Sequence, residues 1–500
     1  MAVLVGIDAG TTGVRSVLID EDGRMLASAY REFPQYFPRP GWVEHDAREI
    51  WSATLETLAS VSQHIVEPVA GIGITNQRET IVVWDSETGS PLAPAIVWQD
   101  RRTSQICVEL RQAGLLDTIR TKTGLVLDPY FSATKLQWLL RDDQIRSNRN
   151  LRVGTIDSWL IFCLTAGKTH VTDVTNASRT MLFNLDSLAW DDELLELFEV
   201  PSETLAKIVA NNERVGVTAN TTALGAGVPI SGIAGDQQAA LFGQACFYPG
   251  LTKNTYGTGS FVLMNVGEKR PVPAEGLLTT VAWSLLQSEG RITTSYALEG
   301  SIFATGAAVQ WLRDGLEIID SAEELESLAL KCEHTHGVVL VPAFAGLGSP
   351  WWDPDARGAL FGLTRGTSKA QLARATIESM VFQTRDVVDA MTLATGMPIH
   401  ELRVDGGASV MNTLIQMQAD QLRVSVTRAT HTETTVRGAV FLAGLAEGVW
   451  DSLAQLSALA ENDFTALPVQ SQASANAAHQ IWLDALRRVR TTPQPTTPPQ

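Results

Sequence analysis

The chain has 500 residues, of which 45% are hydrophobic and 19% are charged, so it is long enough to form two large domains with substantial cores. Its net charge of −17 and its pI near 5.0 disfavour binding to nucleic acid or insertion at anionic membranes, which attract basic proteins. No apolar stretch approaches the roughly 18 residues that are needed to cross a bilayer.

The cysteines and the first residues favour a cytoplasmic protein. The four cysteines are scattered and form no Cys-x-x-Cys pair, which argues against a disulfide framework and against a zinc site. The opening segment Met-Ala-Val-Leu-Val-Gly-Ile-Asp is typical of a strand and not of a secretion signal. We therefore expect a reducing, cytoplasmic location.

Strand and helix patterns alternate along the first third of the chain. Strands are predicted at residues 3–8, 16–20, 71–75 and 81–84, and helices at residues 50–62 and 134–140. A polar loop, residues 9–15, joins the first two strands. This alternation predicts an α/β fold.

A second segment rich in glycine and threonine, residues 254–260, stands beside the apolar strand 261–264. Two interpretations are open. The segment and loop 9–15 are either the two halves of an internal duplication, each presenting a loop to phosphates, or two unrelated β-turns.

The last part of the chain contains a long helix and a polar tail. Ser368 and Gln371 have the spacing of a capping box and begin a largely apolar helix that reaches Met391, which we expect to be buried. Residues 491–500 lack apolar side chains and are rich in proline, so we expect a disordered tail there.

The loop after the first strand has the composition of a phosphate-binding loop. Asp8 is followed by two glycines, two threonines and Arg15. Main-chain N–H groups in such a loop can form an anion-binding nest, and Asp8 can hold Mg²⁺ through water. No Gly-Lys-Ser/Thr follows, so this is not a Walker loop. The alternative is a solvated turn.

A carboxylate, Asp236, directly follows an apolar strand where a helix should begin. At that place it can accept the proton of an alcohol during phosphoryl transfer. It can also simply cap the helix at residues 237–242. The two roles are compatible.

Two opposite charges, Arg78 and Glu79, follow the strand 71–75. A guanidinium that donates and a carboxylate that accepts can together hold the vicinal hydroxyls of a polyol. The alternative is one surface charge and one partly buried charge, on opposite faces of a strand.

A zinc site and histidine-dependent catalysis find no support. The spacing of Cys332, His334 and His336 matches no standard zinc pattern. The other histidines are isolated, and no Gly-x-Ser-x-Gly segment indicates a hydrolase triad.

Many ordered segments resemble the FGGY family of carbohydrate kinases and together span nearly the whole chain. They are residues 8–12, 40–46, 73–80, 96–99, 128–131, 172–181, 231–238, 253–259, 298–300, 310–314 and 404–407. Residues 358–363 through 377–378 resemble the C-terminal signature of the family, and residues 130–142 nearly match the other signature, with Asp142 as the imperfect position.

The resemblance implies two actin-like, ribonuclease H-like domains of α/β class, which flank a deep cleft. They would comprise residues 1–247 and 248–490, followed by the tail at 491–500, with ATP bound mainly against the second domain. The implied reaction transfers the γ-phosphoryl group of ATP to glycerol with Mg²⁺ present, giving sn-glycerol 3-phosphate and ADP. A homodimer or homotetramer is also implied.

The resemblance also implies roles for individual residues. Asp236 would be the general base, and Asp8 with Asp236 would anchor Mg²⁺. The polyol would be hydrogen-bonded or walled by Arg78, Glu79, Trp98, Tyr130, Gln237 and Phe261. The nucleotide would be contacted by Thr11, Thr12, Gly13, Arg15, Thr258, Gly306, Gln310, Gly407 and either Met411 or Asn412.

The chain departs from the family pattern in two places. Some members have an asparagine that contacts the adenine. At that place this chain has Met411 followed by Asn412, and either side chain can make the contact. The loop 221–227 lacks the basic residue that some bacterial members use for fructose-1,6-bisphosphate, and residues 211–227 contain no histidine. We therefore expect neither feedback by that effector nor activation by histidine phosphorylation.

Two other functions stay open. One is a sister FGGY kinase acting on a longer sugar or polyol, such as xylulose or erythritol. The other is an actin-like scaffold or chaperone that is switched by nucleotide and has no small-molecule acceptor. The two aromatic walls favour a short substrate, and the polyol clamp argues against a scaffold.

Overall fold

The computed structural model describes residues 2–431 and 433–491. The predicted disordered tail therefore lies outside the described residues, except for Thr491. In chain order the strands are β1 (Val3–Ala9), β2 (Gly13–Asp20), β3 (Met25–Glu32), β4 (Glu44–His45), β5 (Val69–Asn76), β6 (Val82–Asp85), β7 (Ser90–Pro91), β8 (Ala95–Ile96), β9 (Leu151–Gly154), β10 (Val171–Asp173), β11 (Phe183–Asn184), β12 (Ala189–Trp190), β13 (Lys207–Val209), β14 (Gly216–Val217), β15 (Pro229–Gly235), β16 (Leu251–Tyr256), β17 (Ser260–Gly267), β18 (Leu278–Leu286), β19 (Ile292–Ile302), β20 (Val339–Val341), β21 (Ala359–Phe361), β22 (Glu401–Asp405), β23 (Ser425–Ala429) and β24 (Asn462–Ala466).

The α-helices lie between these strands and after the last one. They are α1 (Ala47–Ser62), α2 (Ser104–Gln112), α3 (Leu116–Thr123), α4 (Ser132–Leu139), α5 (Asp143–Arg146), α6 (Ile156–Leu164), α7 (Val174–Ala177), α8 (Asp192–Leu197), α9 (Asp236–Gly243), α10 (Gly306–Gln310), α11 (Glu324–Ala329), α12 (Lys369–Thr395), α13 (Asn412–Leu422), α14 (Thr434–Ala446), α15 (Leu453–Ala458) and α16 (Gln472–Val489). None of the helices in the described part of the chain is both long enough and apolar enough to cross a bilayer.

The first large sheet has six strands in the order β14-β15-β5-β1-β2-β3. Strands β1, β2 and β3 follow one another antiparallel, whereas β5 runs parallel to β1 and β15 parallel to β5. The carboxyl ends of β1, β5 and β15 therefore meet at one edge, where Ala9 is paired with Asn76 and Asn76 with Gly235. The residues that follow these strand ends are the ones predicted to carry the chemistry.

The second large sheet has seven strands in the order β18-β19-β17-β16-β22-β23-β24. Strands β16, β17 and β19 are successively antiparallel, and β22 and β23 continue parallel to β16. The five strands β19-β17-β16-β22-β23 therefore have the same order and relative directions as β3-β2-β1-β5-β15 in the first sheet. The repeat favours the duplication over two unrelated turns, and it is the pair of α/β domains that the resemblance implied.

Helix α14 comes late in the chain but packs on the first sheet. A β-carbon at Gly73 or at Gly232 would overlap the carbonyl oxygen of Ala439 in α14, and one at Gly438 would overlap the carbonyl oxygen of Ala239 in α9. Such close approach of main chains requires glycine. Helices α9 and α14 therefore cross in direct contact. The domain boundary between residues 247 and 248 stays a prediction. Helix α14 comes after this boundary in the chain but packs on the sheet that comes before it.

The strands and helices predicted from the sequence are present, with ends moved by a few residues. The predicted strand 71–75 is β5 (Val69–Asn76), and the predicted helix 134–140 is α4 (Ser132–Leu139). The long helix α12 begins after Ser368, whose N–H donates to Gln371 Oε1 at 2.8 Å. It runs past Met391 to Gly396, which has a left-handed φ of 66°. Much of one face of α12 is buried, as predicted.

Candidate active site

The phosphate-binding loop predicted after β1 forms a tight turn. The N–H of Gly10 donates to the carbonyl oxygen of Gly13 at 3.0 Å. A β-carbon at Gly13 would lie 2.6 Å from the carbonyl oxygen of Arg31, so this position has room only for glycine. Thr12 is exposed at the tip, and Thr11 accepts a hydrogen bond from the indole of Trp98 at 3.0 Å. The loop is thus joined to a residue predicted to wall the polyol.

The corresponding loop of the second sheet, residues 257–259, lies against the start of α10. Gly306 donates from its N–H to the carbonyl oxygen of Gly257 at 3.0 Å, and Ala307 donates to that of Thr258 at 2.9 Å. A β-carbon at Gly306 would come within 2.6 Å of the carbonyl oxygen of Gly257. Thr258 is exposed beside these contacts, and Gln310 is exposed at the last position of α10. The structure therefore brings the predicted pair Thr258 and Gly306 together.

Arg78 and Glu79 lie in a turn beyond the end of β5, and both are buried. The N–H of Thr80 donates to the carbonyl oxygen of Arg78 at 2.7 Å, and Glu79 between them has a left-handed φ of 61°. A non-glycine residue in this region is strained and is held there by its surroundings. The expectation of one surface charge and one partly buried charge is wrong, because the chain turns at Glu79 and directs both side chains inward.

The guanidinium of Arg78 is the centre of the site. It pairs with Asp236 Oδ1 at 3.1 Å through Nε, and its Nη2 is 3.4 Å from the Tyr130 hydroxyl. Its Nε lies 3.8 Å from Glu79 Oε1. Burial alone would lower the pKa of Arg78, but the carboxylates around it raise that pKa well above its ordinary value, Glu299 most strongly. Arg78 is therefore a permanent cation that joins the predicted base to the predicted polyol ligands.

Asp236 is the first residue of α9 and keeps 30% of its side chain exposed. The N-cap position belongs to Gly235, and Oδ1 of Asp236, besides pairing with Arg78, accepts the N–H of the adjacent Gln237 at 2.7 Å. A β-carbon at Gly235 would lie 2.7 Å from the side chain of Arg78. Glycine thus allows the guanidinium to approach this helix start. The carboxylate faces an accessible space and does not serve as an N-cap.

Aromatic side chains border the same site. The rings of Trp98 and Tyr130 meet edge to face with centroids 5.5 Å apart, and the guanidinium carbon of Arg78 lies 5.9 Å from the ring centroid of Phe261. Burial raises the pKa of Tyr130 above its ordinary range, so its hydroxyl stays protonated and can donate. Aromatic faces of this kind exclude water and pack against carbon chains.

Gln237 is buried and contacts a buried lysine from the second sheet, Lys253 on β16. The ammonium of Lys253 donates to Gln237 Oε1 and, at 2.9 Å, to the hydroxyl of Thr255. Burial lowers the pKa of Lys253 to about 8, against the opposing effect of Asp405 and Asp236. Because the amide oxygen is occupied, the amide nitrogen of Gln237 is the group left to donate.

The carboxylate at the end of β1, Asp8, lies in an excess of negative charge. Burial, Asp236 and Glu433 raise the pKa of Asp8 to about 7, and Arg15 lowers it only in part. Arg15 itself pairs with Glu433 at 3.0 Å. A cation near Asp8 and Asp236 would relieve this repulsion. Mg²⁺ fits, because it takes one or two carboxylates together with phosphates and water. Among the described residues no group of three or more potential metal ligands is found, and a site of this kind does not need one.

The remaining nucleotide candidates lie beyond the end of β22. Gly406 has a left-handed φ of 86°, and a β-carbon there would overlap the main chain of Tyr256, just before the loop 257–259. At Gly407 a β-carbon would meet no atom within 4 Å. Of the two adenine candidates, Met411 is buried, whereas Asn412 is exposed and accepts from Arg428 at 3.1 Å. The accessible side chain is thus Asn412.

Sequence reasoning assigned no role to three buried charged residues of the site: Arg179, Lys253 and Glu299. All three lie inside segments that resemble the family, yet no single pattern marks them. The available signal was a lone charge among buried apolar neighbours, as with Glu299 between Leu298 and Gly300 in β19. Such a charge must be paired when it is buried.

The chain matches known proteins along most of its length. Residues 3–243 match the N-terminal domain of the FGGY family of carbohydrate kinases, and residues 252–447 match the C-terminal domain of that family. A glycerol kinase from Oceanobacillus iheyensis is 51% identical over 494 residues, which cover 97% of this chain and 98% of the relative.

Solved structures give the same result. The crystal structure of Plasmodium falciparum glycerol kinase with ADP has a TM-score of 0.92 at 35% identity and covers 99% of each chain. Gluconate kinase from Lactobacillus acidophilus has a TM-score of 0.88 at 23% identity, covering 98% of this chain and 99% of that one, and this likeness concerns the fold alone. The chain belongs to the FGGY family of carbohydrate kinases.

Proposed function

We propose that the chain transfers the γ-phosphoryl group of ATP to glycerol, giving sn-glycerol 3-phosphate and ADP. The glycerol kinases of Oceanobacillus iheyensis and Plasmodium falciparum, at 51% and 35% identity, support this activity. The observation that carries it is the contact between the buried Arg78 and the accessible Asp236, 3.1 Å apart, beside Glu79 and Tyr130. A short polyol needs such a combination of donors, acceptors and an adjacent base.

In the proposed mechanism Glu79 and Arg78 bind the hydroxyls that do not react, and Gln237 donates through its amide nitrogen. The faces of Trp98 and Phe261 pack against the carbon chain and keep water away, which limits hydrolysis of ATP. A substrate held by these groups presents its terminal hydroxyl to the carboxylate of Asp236.

Asp236 then removes the proton of that hydroxyl. The oxygen forms a bond to the γ-phosphorus as the bond from that phosphorus to the β–γ bridging oxygen breaks, and ADP leaves. The loop at Thr11, Thr12 and Gly13, with Thr258 from the other sheet, offers hydroxyl and main-chain donors to the phosphates. Bound near Asp8 and Asp236, Mg²⁺ would neutralise the charge of the phosphates during transfer.

The decisive experiment is a panel of acceptors assayed by coupled ADP release. We expect glycerol to give the highest kcat/KM, with erythritol, xylulose and gluconate lower by about 100-fold or more, because longer chains must fit between the same two aromatic walls. A higher kcat/KM for a pentulose would transfer the proposal to a sister FGGY kinase. If no acceptor released ADP but the protein bound nucleotide, the scaffold hypothesis would replace it.

We further propose that the enzyme acts in the cytoplasm as a homodimer or homotetramer. ATP supply and four cysteines without a disulfide support that compartment. Light scattering coupled to size exclusion tests the oligomer, and a single peak at the 54.1 kDa of one chain would exclude it.

A further inference from the structure

A carboxylate from the second sheet reaches across to the polyol clamp of the first. Glu299 lies on β19, and its side chain is fully buried. Its Oε2 accepts from Arg78 Nη1 at 2.6 Å, and its Oε1 accepts from Arg78 Nη2 at 3.1 Å. This two-point contact fixes the plane of the guanidinium, which a single bond would leave free to rotate.

A second guanidinium, that of Arg179, completes the arrangement from the other side. Its Nε donates to Glu79 Oε1 at 2.7 Å, and its Nη2 donates to Glu299 Oε1 at 3.0 Å. Arg179 follows the short buried helix α7, which Asp173 caps by accepting the N–H of Thr175 at 2.6 Å. The capped helix α7 therefore fixes the main chain from which the side chain of Arg179 extends.

These contacts form a buried group of two cations and two anions. Burial alone would raise the pKa of Glu299, but Arg179 and Arg78 hold it at about 2, so Glu299 is anionic throughout the working pH range. At Glu79 burial dominates and raises the pKa, although Arg78 and Arg179 oppose this. Rotation of any one of these four side chains would leave a buried charge without one of its partners.

We propose that Glu299 and Arg179 are positioning residues that orient Arg78 and Glu79 for the polyol, and that Glu299 makes this orientation depend on contact between the two sheets. The inference rests on the proposed function, because Arg78 and Glu79 are taken as the groups that hold glycerol. Movement of the second sheet away from the first would remove the Glu299 carboxylate from Arg78 and disorient the clamp. The polyol site would thus be complete only when the two sheets are in contact.

The test uses the full-length enzyme and two variants, Glu299→Gln and the charge-balanced Arg179→Gln/Glu299→Gln. We expect Glu299→Gln to lower kcat/KM for glycerol by about 100-fold, mainly through a higher KM for glycerol, because misplacement of binding groups by about 1 Å has effects of this size. The KM for ATP and the Kd for ADP from calorimetry should change less than about twofold. A purely structural role would lower the active fraction, and hence kcat, without this selective rise in the KM for glycerol.

The double variant separates charge balance from orientation. Its melting temperature should return toward that of the unmodified enzyme, while its KM for glycerol should stay high. A normal KM for glycerol in either variant would overturn the inference, and if the single variant does not fold, the double variant decides alone. Glu401→Gln, which removes a carboxylate paired with Arg403 on the same sheet, is the matched control and should leave every parameter unchanged. Absence of glycerol phosphorylation in the unmodified enzyme would instead refute the proposed function.

Discussion

The two large sheets have the same strand order and directions in their five corresponding strands, yet the residues at their ends differ in kind. Strands β5 and β15 are followed by buried or partly buried charges, Arg78, Glu79 and Asp236. The corresponding strand β22 is followed by Gly406, which lies against the main chain of Tyr256, and by Gly407, whose main chain is exposed. A duplicated fold therefore supplies equivalent places, and the side chains at the strand ends decide whether a place suits a small polar substrate or a close approach of the main chain to a larger ligand.

The largest expected effect concerns Asp236, which has no counterpart in the second sheet. Strand β23, which corresponds to β15, is followed by Thr430 and has no carboxylate at its end. Asp236→Asn keeps the shape of the side chain but cannot accept the proton. We expect kcat to fall about 1000-fold with little change in melting temperature. Initial rates of ADP release measure this, with Asp22→Asn at an exposed ion pair as control. A variant that kept about a tenth of normal kcat would refute the base assignment.

Two buried lysines allow a direct comparison between the two parts of the chain, since one lies on α4 and the other on β16 of the second sheet. Lys135 on α4 donates to the carbonyl oxygen of Tyr130 at 2.7 Å, whereas Lys253 holds Gln237. Burial lowers the pKa of each from 10.5 to about 8. The unfolded chain binds more protons between these pH values, so each lysine destabilises the fold fully below pH 8, and stability rises from about pH 8 to 10.5.

Replacement of either lysine by methionine should flatten that rise, by on the order of 3 kcal/mol for the shift in each pKa. Only Lys253→Met should also raise the KM for glycerol, because Gln237 loses the partner that orients its amide. Equilibrium unfolding between pH 7 and 10.5, with glycerol kinetics at pH 7, measures both quantities. An equal KM effect in Lys135→Met would show that the two lysines do not differ in role.

Substitutions at the two adjacent glycines that follow β22 test whether nucleotide approaches the main chain there. Gly406→Ala should destabilise the fold by about 1–3 kcal/mol, because alanine is strained at positive φ and its β-carbon would overlap Tyr256. Gly407→Ala should change stability by less than about 0.5 kcal/mol, because its β-carbon meets open space. If nucleotide approaches there, Gly407→Ala should raise the KM for ATP and leave that for glycerol unchanged. An unchanged KM for ATP would remove Gly407 from the nucleotide site.

The smallest effect concerns the link between the phosphate loop and the polyol wall. Trp98→Phe keeps an aromatic face but loses the hydrogen bond to Thr11. We expect a loss of about 1 kcal/mol, or about fivefold in kcat/KM. Trp190→Phe removes a comparable bond, to the carbonyl oxygen of Ala206, and is the control. Equal activities of these two variants would mean that the link has no role in turnover.

Sequence patterns predicted the strand ends well and the pairing of charges poorly. Glycines and polar residues directly after apolar strands pointed to Asp8, Arg78 and Asp236, because such patterns are local. The side chain of Glu299 could not be placed in this way, since its partner Arg78 lies 221 residues earlier in the chain. The inward direction of both Arg78 and Glu79 was also missed, because it depends on a turn whose strain only the surrounding contacts sustain.

Helix α14 has a consequence for how the protein is made. The glycine-lined face of the first sheet, built from residues that leave the ribosome early, is covered by a helix that is synthesised after most of the chain. During translation that face has to stay exposed or be shielded by a chaperone, since an uncovered apolar sheet promotes aggregation. A polypeptide ending near residue 247 would carry the same exposed face permanently, and adding residues 248–491 as a separate chain should rescue its solubility.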